Sequence, residues 1–241
     1  MDIIIAEDYE QMSRIAANRI AACVNSVPDC VLGLATGSTP IGLYEDLVED
    51  CKAGRVSFAD VTTFNLDEYR GLDPQHEQSY RYFMQKNLFD HVDIDVECTH
   101  VPDGSCPDAE AACEAYEEAI ECAGGVDLQL LGLGHNGHIG FNEPCDEFPR
   151  ATHCVELTES TINANSRLFD SVDEVPREAY TMGIGTIMNA REIVVVASGA
   201  DKAEIVAKAF LGPVTPEVPA SVLQFHPNVT VIVDEAAAAN L

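Results

Sequence analysis

The chain lacks tryptophan and is poor in basic residues, with 13 lysines and arginines against 41 acidic residues. The formal net charge of −28 repels the phosphate backbone of nucleic acids and the surface of anionic membranes. We therefore expect neither a nucleic-acid partner nor a membrane partner. The acidic residues are spread along the chain rather than gathered in a tail. This composition predicts a halophilic protein from an acidic proteome.

Long apolar runs and a basic N-terminal segment are also absent. No apolar run reaches the length of about 20 residues that a helix needs to span a bilayer. The first eight residues lack the lysines and arginines with which a secretory signal peptide begins. We therefore expect a cytoplasmic protein.

The nine cysteines lack the spacing of common cysteine sites, because no two of them form a Cys-x-x-Cys pair. This argues against a structural zinc site and against a thioredoxin-like centre. Their odd number, together with the absent signal peptide, argues against a disulfide framework. We expect most of them to be small, buried apolar residues.

Short apolar runs alternate with amphipathic segments along the chain. The predicted strands cover residues 31–35, 61–64, 126–131, 179–185 with its turn, 193–197 and 230–233. The predicted helices cover residues 9–24, 41–51, 79–89, 108–122 and 199–210. This alternation predicts an α/β fold with an open, mainly parallel, Rossmann-like sheet and helices on both faces. No linker or repeat divides the chain, so we expect one domain over residues 1–241, with a poorly ordered, alanine-rich end.

A glycine-rich loop, residues 132–144, follows the predicted strand at 126–131. Its glycines allow the backbone to turn sharply or to approach a ligand closely. Among them lie His135, Asn136, His138, Asn142 and Glu143. Imidazole and carboxylate groups at the carboxyl end of a strand are typical of acid–base catalysis in α/β proteins. A tight connection without a ligand, or a metal site on the two histidines and the glutamate, are the alternatives.

A second polar loop, here called the anion loop, comprises residues 36–40 and joins a predicted strand to a helix. Its N–H groups and hydroxyls lie at a helix N-terminus, where the helix dipole favours an anion. A capped turn without a ligand is the alternative, and the Gly-Lys-Ser/Thr ending of a P-loop is absent. Asp67 and Glu68 follow the next strand. Adjacent side chains on a turn point in different directions, so we expect only one of these carboxylates to face a ligand.

Six segments, in the same order along the chain, resemble the glucosamine-6-phosphate deaminase (glucosamine-6-phosphate isomerase) family. They are LATGSTP at 34–40, FNLDEY at 64–69, GLGHNGHIGFNEP at 132–144, NSR at 165–167, GADK at 199–202 and LQFHP at 223–227. The resemblance covers most of the chain. It implies a hydrolase of amino-sugar metabolism, in N-acetylglucosamine catabolism. Such an enzyme isomerises and deaminates glucosamine 6-phosphate to fructose 6-phosphate and ammonia.

The resemblance also implies a role for each site residue. Asp67 would be the base at C2 of the sugar, and His138 would open the ring with Glu143 as its charged partner. Asn136 stands where many members carry an aspartate, so the charge beside His138 rests on Glu143 alone. The implied phosphate-binding residues are Thr36, Gly37, Ser38, Thr39, Arg167 and Lys202. No metal and no cofactor are implied.

Two other functions compete with this interpretation. A 6-phosphogluconolactonase resembles the same fold and binds a sugar phosphate, but it activates water instead of abstracting a C2 proton. A sugar-phosphate-sensing regulator needs a DNA-binding module, and no basic helix-turn-helix segment is visible. The expected partner is a small-molecule substrate, and the resemblance permits either a monomer or a homo-oligomer.

Overall fold

The structure is a computed structural model that describes residues 1–158, 162, 169, 171 and 174–241. The strands are β1 (Asp2–Ala6), β2 (Val31–Leu34), β3 (Thr62–Asn65), β4 (Asp67–Tyr69), β5 (Thr99–His100), β6 (Leu128–Gly132), β7 (His153–Glu156), β8 (Glu178–Thr181), β9 (Glu192–Ala197) and β10 (Val229–Asp234). The α-helices with described bounds are α1 (Tyr9–Ser26), α2 (Ile41–Lys52), α3 (Tyr80–Asn87), α4 (Ala109–Cys122), α5 (Ile184–Met188) and α6 (Ala203–Leu211). Short 3-10 helices cover Phe89–His91, Val96–Cys98, Ala200–Lys202 and Pro219–Phe225.

Seven strands form a parallel sheet in the order β1-β10-β9-β6-β2-β3-β5. The central strands are apolar and almost entirely buried, as parallel strands covered on both faces require. This arrangement confirms the predicted α/β fold with a mainly parallel sheet. The chain leaves β2 towards β3 but leaves β6 towards β9, so the winding direction reverses between β2 and β6. Ligands of open α/β sheets bind at the carboxyl ends of strands at such a reversal.

Helix α1 shows how the amphipathic segments join the core. The side chain of Asp8 caps its first turn by accepting the N–H of Gln11 at 2.8 Å. Met12, Ala16 and Ile20 recur at the four-residue spacing of one helical face, and all three are buried. This face packs against α2 and β10. Full burial of one such large apolar side chain stabilises the fold by about 1.5–3 kcal/mol.

A second, antiparallel sheet of three strands in the order β4-β8-β7 was not predicted. A strand with a turn was predicted over residues 179–185, where β8 covers Glu178–Thr181, but its partners β4 and β7 were not predicted. The chain crosses from the parallel sheet to the antiparallel sheet through one residue, Leu66. Its N–H donates to Leu34 O at 3.1 Å, and its C=O accepts the N–H of Met182 at 2.7 Å. The junction therefore fixes Asp67 where the two sheets meet.

Two expectations from the sequence are wrong. All nine cysteines are free thiols, but only Cys30 and Cys113 are buried, and the others are partly or fully exposed. The alanine-rich end is packed, since Ala237 is buried and its N–H donates to the carboxylate of Asp234 at 2.7 Å. No helix among the described residues is long and apolar enough to cross a bilayer.

Candidate active site

Four neighbouring strands bring the predicted site residues to one edge of the parallel sheet. Lys202 follows β9, the glycine-rich loop follows β6, the anion loop follows β2, and Asp67 follows β3. These strands are adjacent in the order β9-β6-β2-β3, and all are parallel. Their carboxyl ends therefore lie side by side, across the reversal between β2 and β6. The predicted phosphate ligand Arg167 lies outside the described residues.

The glycine-rich loop folds back on itself at its first half. The N–H of Gly134 donates to His138 O at 2.9 Å, and the N–H of Gly137 donates to Gly134 O at 3.0 Å. A side chain at Gly134 would meet the His138 ring, because a Cβ atom there would lie 2.3 Å from its Nε2. Glycine at this position therefore lets the imidazole lie directly over the loop backbone.

His138, Glu143 and Asn136 form one cluster within this loop. His138 Nδ1 lies 3.5 Å from Glu143 Oε1. Asn136 Nδ2 donates to Glu143 Oε2 at 2.5 Å, and Asn136 Oδ1 accepts the backbone N–H of His138 at 3.2 Å. The carboxylate of Glu143 therefore stands beside the imidazole of His138. Such a pair can take up a proton and release it at another atom of a ligand.

The second half of the glycine-rich loop is fixed against β8 and Asp67. The buried amide of Asn142 donates to Ile139 O at 2.9 Å and to Met182 O at 2.8 Å. Gly140 has a φ of 58°, and a Cβ atom there would lie 2.7 Å from Thr181 Oγ1 and 3.5 Å from Asp67 Oδ2. Glycine at 140 thus allows the loop backbone to approach the Asp67 carboxylate.

Asp67 has the environment of a general base. Its side chain is buried, and burial together with the negative charge of Glu68 raises its pKa to about 8. A carboxylate whose pKa lies near the working pH is a far stronger base than one in water. The position of Asp67 beside the glycine-rich loop brings this base to the same site as His138.

Glu68 has a different set of partners, which were not predicted. Its Oε1 accepts the N–H groups of Tyr69 at 2.8 Å and Tyr80 at 3.0 Å, and its Oε2 accepts that of Arg81 at 2.9 Å. Tyr80 and Arg81 open helix α3, so Glu68 satisfies N–H groups that have no partner inside that helix. Burial raises the pKa of Glu68, and the three N–H groups oppose this shift.

The anion loop ends at the N-terminus of α2, where the cap residue Pro40 provides no side-chain hydrogen bond. Gly37 has a φ of 97°, and the hydroxyls of Thr36, Ser38 and Thr39 donate to no residue in the described part of the chain. These hydroxyls are therefore available as donors to a ligand. Tyr9 of α1, which was not predicted, anchors the loop: its hydroxyl accepts the N–H of Gly42 at 2.8 Å and donates to Thr39 O at 3.1 Å.

Lys202 supplies a cation at the same edge. Its Nζ donates to Leu133 O at 2.7 Å, and burial lowers its pKa. His135, the other histidine of the loop, pairs with Asp201 at 2.6 Å and lies 3.5 Å from Lys202 Nζ. Because His135 and His138 have different carboxylate partners, the alternative of a shared metal site is not supported. Within the described residues, no group of three or more His, Cys, Asp or Glu side chains could hold a metal ion.

Comparison with known proteins gives close relatives over nearly the whole chain. The sequence profile of the family described as glucosamine-6-phosphate isomerases/6-phosphogluconolactonase matches residues 7–232. A glucosamine-6-phosphate deaminase of Lachnoclostridium phytofermentans is 56% identical over 96% of this chain and 98% of its own length. That of Halothermothrix orenii is 54% identical over the full length of both chains.

Solved structures agree with these matches. A structure described as a monomeric glucosamine-6-phosphate deaminase has a TM-score of 0.97 and 44% identity, and both chains are covered completely. A 6-phosphogluconolactonase from Trypanosoma brucei has a TM-score of 0.78 at 20% identity, covering 100% of this chain and 98% of that one, so it shares the fold alone. The chain therefore belongs to the glucosamine-6-phosphate deaminase family.

Proposed function

We propose that the protein converts glucosamine 6-phosphate to fructose 6-phosphate and ammonia. The observation that carries this proposal is the position of Asp67, a buried carboxylate with a pKa of about 8, beside the loop that holds His138 and Glu143. The reaction requires proton transfers at two places on one sugar. This site offers an acid–base pair and a separate base, whereas lactone hydrolysis requires only an activated water.

The anion loop and Lys202 bind the phosphate group of the substrate in this proposal. The N-terminus of α2 and the hydroxyls of Thr36, Ser38 and Thr39, which donate to no residue in the described part of the chain, provide donors for an anion. Gly37 lets the backbone approach the phosphate oxygens, and Lys202 adds a point charge. Arg167 completes the set on the grounds of family resemblance. Local donors thus bind an anion within a strongly acidic protein.

His138 opens the sugar ring. It takes the proton from the O1 hydroxyl and delivers a proton to the ring oxygen, while the bond between C1 and that oxygen breaks and C1 becomes an aldehyde. Glu143 compensates the charge of the imidazolium during this transfer. Asn136 holds Glu143 in place through its amide and carries no charge itself.

Asp67 then abstracts the proton from C2 of the open chain. The electrons of the C2–H bond form a C1–C2 double bond, and the carbonyl oxygen at C1 gains a proton. Return of a proton to C1 gives a ketimine at C2, and addition of water to this carbon releases ammonia. The overall reaction therefore hydrolyses a C–N bond. The proton moves within one molecule, so the chemistry requires no redox cofactor and no metal.

We also propose that residues 1–241 act as one domain in the cytoplasm, with the sugar phosphate as the only required partner. The high acidic content favours a protein adapted to concentrated salt. The described edge of the sheet contains an acid–base pair, a base and phosphate donors on one chain. A monomer is therefore sufficient for catalysis, although a homo-oligomer is compatible with this site.

The test measures ammonia and fructose 6-phosphate released from glucosamine 6-phosphate in molar KCl. We expect product with the wild type and a loss of about 10²- to 10⁴-fold in kcat for Asp67→Asn, which removes the base. Asp60→Asn changes an exposed aspartate and serves as the matched control, with wild-type activity expected. No product from folded wild-type protein would contradict the proposed reaction. Full activity of Asp67→Asn would contradict the assignment of the base.

A further inference from the structure

Glu68 is a buried acidic residue next to the base, and the reaction described above does not use it. Only 3% of the surface of this residue is exposed to solvent. All three of its protein donors are backbone N–H groups, and two of them belong to the first turn of α3. A carboxylate that accepts several backbone N–H groups at a helix N-terminus is stabilised in its ionised form.

The groups around the two carboxylates favour the ionised form of Glu68 more than that of Asp67. Asp67 lies near Tyr80 of α3 and Tyr116 of α4, and the negative charge of Glu68 raises its pKa further. Glu68 faces Arg81 of α3, whose positive charge favours the ionised form. Asp67 receives no such help, so its proton leaves in the presence of a charge that is already there.

We propose that Glu68 is a positioning residue that holds a fixed negative charge beside Asp67 and so tunes Asp67 for abstraction of the C2 proton. This inference rests on the proposed function. A nearby negative charge makes the Asp67 carboxylate a stronger base. The N-terminus of α3 keeps that charge in place, because the N–H groups of Tyr80 and Arg81, which have no acceptor inside the helix, donate to Glu68.

The first experiment compares the pH dependence of kcat/KM for ammonia release in the wild type and in Glu68→Gln. The amide keeps one oxygen for the N–H groups of Tyr69 and Tyr80 and removes the charge. We expect the acid limb of the profile to move to lower pH by about one unit and the plateau rate to fall, because the base becomes weaker. With substrate deuterated at C2, the isotope effect on kcat/KM should rise, since proton abstraction becomes slower relative to the other steps.

Two further variants separate this role from a structural one. Glu68→Asp keeps the charge on a shorter side chain, so its acid limb should stay at the wild-type pH even where the rate falls. Asp93→Asn is the matched control, because Asp93 also accepts a backbone N–H, that of Phe58 at 2.7 Å, away from Asp67. We expect it to lose stability without a change in the pH profile. A Glu68→Gln profile that coincides with the wild-type profile would overturn the proposal.

The same inference can be tested in the wild-type protein by an NMR titration of its carboxyl groups. This measurement requires neither a folded variant nor catalytic turnover. Carboxyl ¹³C resonances of Asp67 and Glu68 should titrate separately, with Glu68 ionising at lower pH than Asp67. Titration of Asp67 at the pH of an exposed aspartate, or before Glu68, would overturn the proposal. Absence of ammonia release combined with the expected titration would reject the proposed function, and of the inference it would leave only the fixed charge of Glu68 beside Asp67.

Discussion

Asp67 is the residue at which the requirements of the candidate site conflict most clearly with the stability of the fold. Its folded pKa of about 8 lies far above that of an aspartate in an unfolded chain. The folded state therefore binds one more proton than the unfolded state between about pH 4 and pH 8. Stability falls as the pH rises through this range, because ionising Asp67 is costly only in the folded protein.

Asp67→Asn should therefore stabilise the protein, and the gain should grow with pH. The amide needs no ionisation, so we expect the free energy of unfolding to rise by up to a few kcal/mol at about pH 8, with little gain near pH 4. Denaturant unfolding at both pH values measures this difference. The exposed-site variant Asp60→Asn should show no such pH-dependent gain. Equal effects of Asp67→Asn at the two pH values would contradict the raised pKa.

Asn136 gives a second prediction for a single residue. In Asn136→Asp a carboxylate would replace the amide that now donates to Glu143. The added negative charge favours the protonated forms of both His138 and Glu143. In a plot of kcat against pH, we expect the limbs that depend on this pair to move to higher pH by about 0.5 to 1 unit. Glu143→Gln, which removes a negative charge, should move them the other way, and a common direction for both variants would contradict this account.

At the scale of elements, the sequence predicts the parts of the fold whose signal is local. The strand around Val194 and the helix around Ile20 are long apolar patterns, and both were found where they were predicted. The antiparallel sheet escaped prediction because β4 has three residues and pairs with β8 more than a hundred positions later. The hydrogen-bonded role of Glu68 was missed for the same reason, since its partners at the start of α3 are fixed only by the tertiary fold. Asp67 and the glycine-rich loop could be identified because their residue types and glycines are visible in the sequence.

The connection between α1 and α2 leads to a prediction about the anion loop. Tyr9→Phe removes the hydroxyl that accepts from Gly42 and donates to Thr39. We expect KM to rise several-fold with little change in kcat, and stability to fall by about 1 kcal/mol. Steady-state kinetics and denaturant unfolding measure the two effects. In Tyr82→Phe, the matched control, the lost hydroxyl has no partner among the described residues, so both values should stay unchanged. A wild-type KM for Tyr9→Phe would contradict a binding role of this loop.

The glycine-rich loop allows a comparison of two glycines with positive φ. A Cβ atom at Gly140 would press on Thr181 and reach Asp67, whereas one at Gly71, with a φ of 84°, would meet nothing within 4 Å. Both alanine variants should lose about 1 kcal/mol of stability through backbone strain. Only Gly140→Ala should lose activity, by about 10- to 100-fold, because it displaces the loop from the base. Equal activities of the two variants would show that the close approach at Gly140 is not needed.

At the scale of the whole molecule, the net charge of −28 dominates. Repulsion among these charges favours expansion of the chain, and salt screens it. We expect the unfolding midpoint to rise by about 5 to 10 °C between 0.1 and 2 M KCl, which corresponds to about 2.5 to 5 kcal/mol for a protein of this size.

A charge-reduced variant separates screening from other effects of salt. Helix α4 exposes four glutamates, which are Glu110, Glu114, Glu118 and Glu121. Replacing all four by glutamine removes four negative charges from the surface. This variant should gain less from KCl than the wild type does. A wild-type unfolding midpoint that does not change with the KCl concentration would contradict the halophilic interpretation.

The single-residue junction at Leu66 also limits how the chain can change in length. Insertions are usually tolerated in surface loops, because a loop can bulge without disturbing its ends. At Leu66 both backbone groups are bonded into different sheets, and side chains alternate from face to face along the strand that follows. One inserted or deleted residue would exchange the faces of the strand on which Asp67 and Glu68 lie, so that the proposed base would point towards α3 and Glu68 towards the glycine-rich loop. The number of residues at this junction is therefore constrained as strongly as the identity of Asp67 itself.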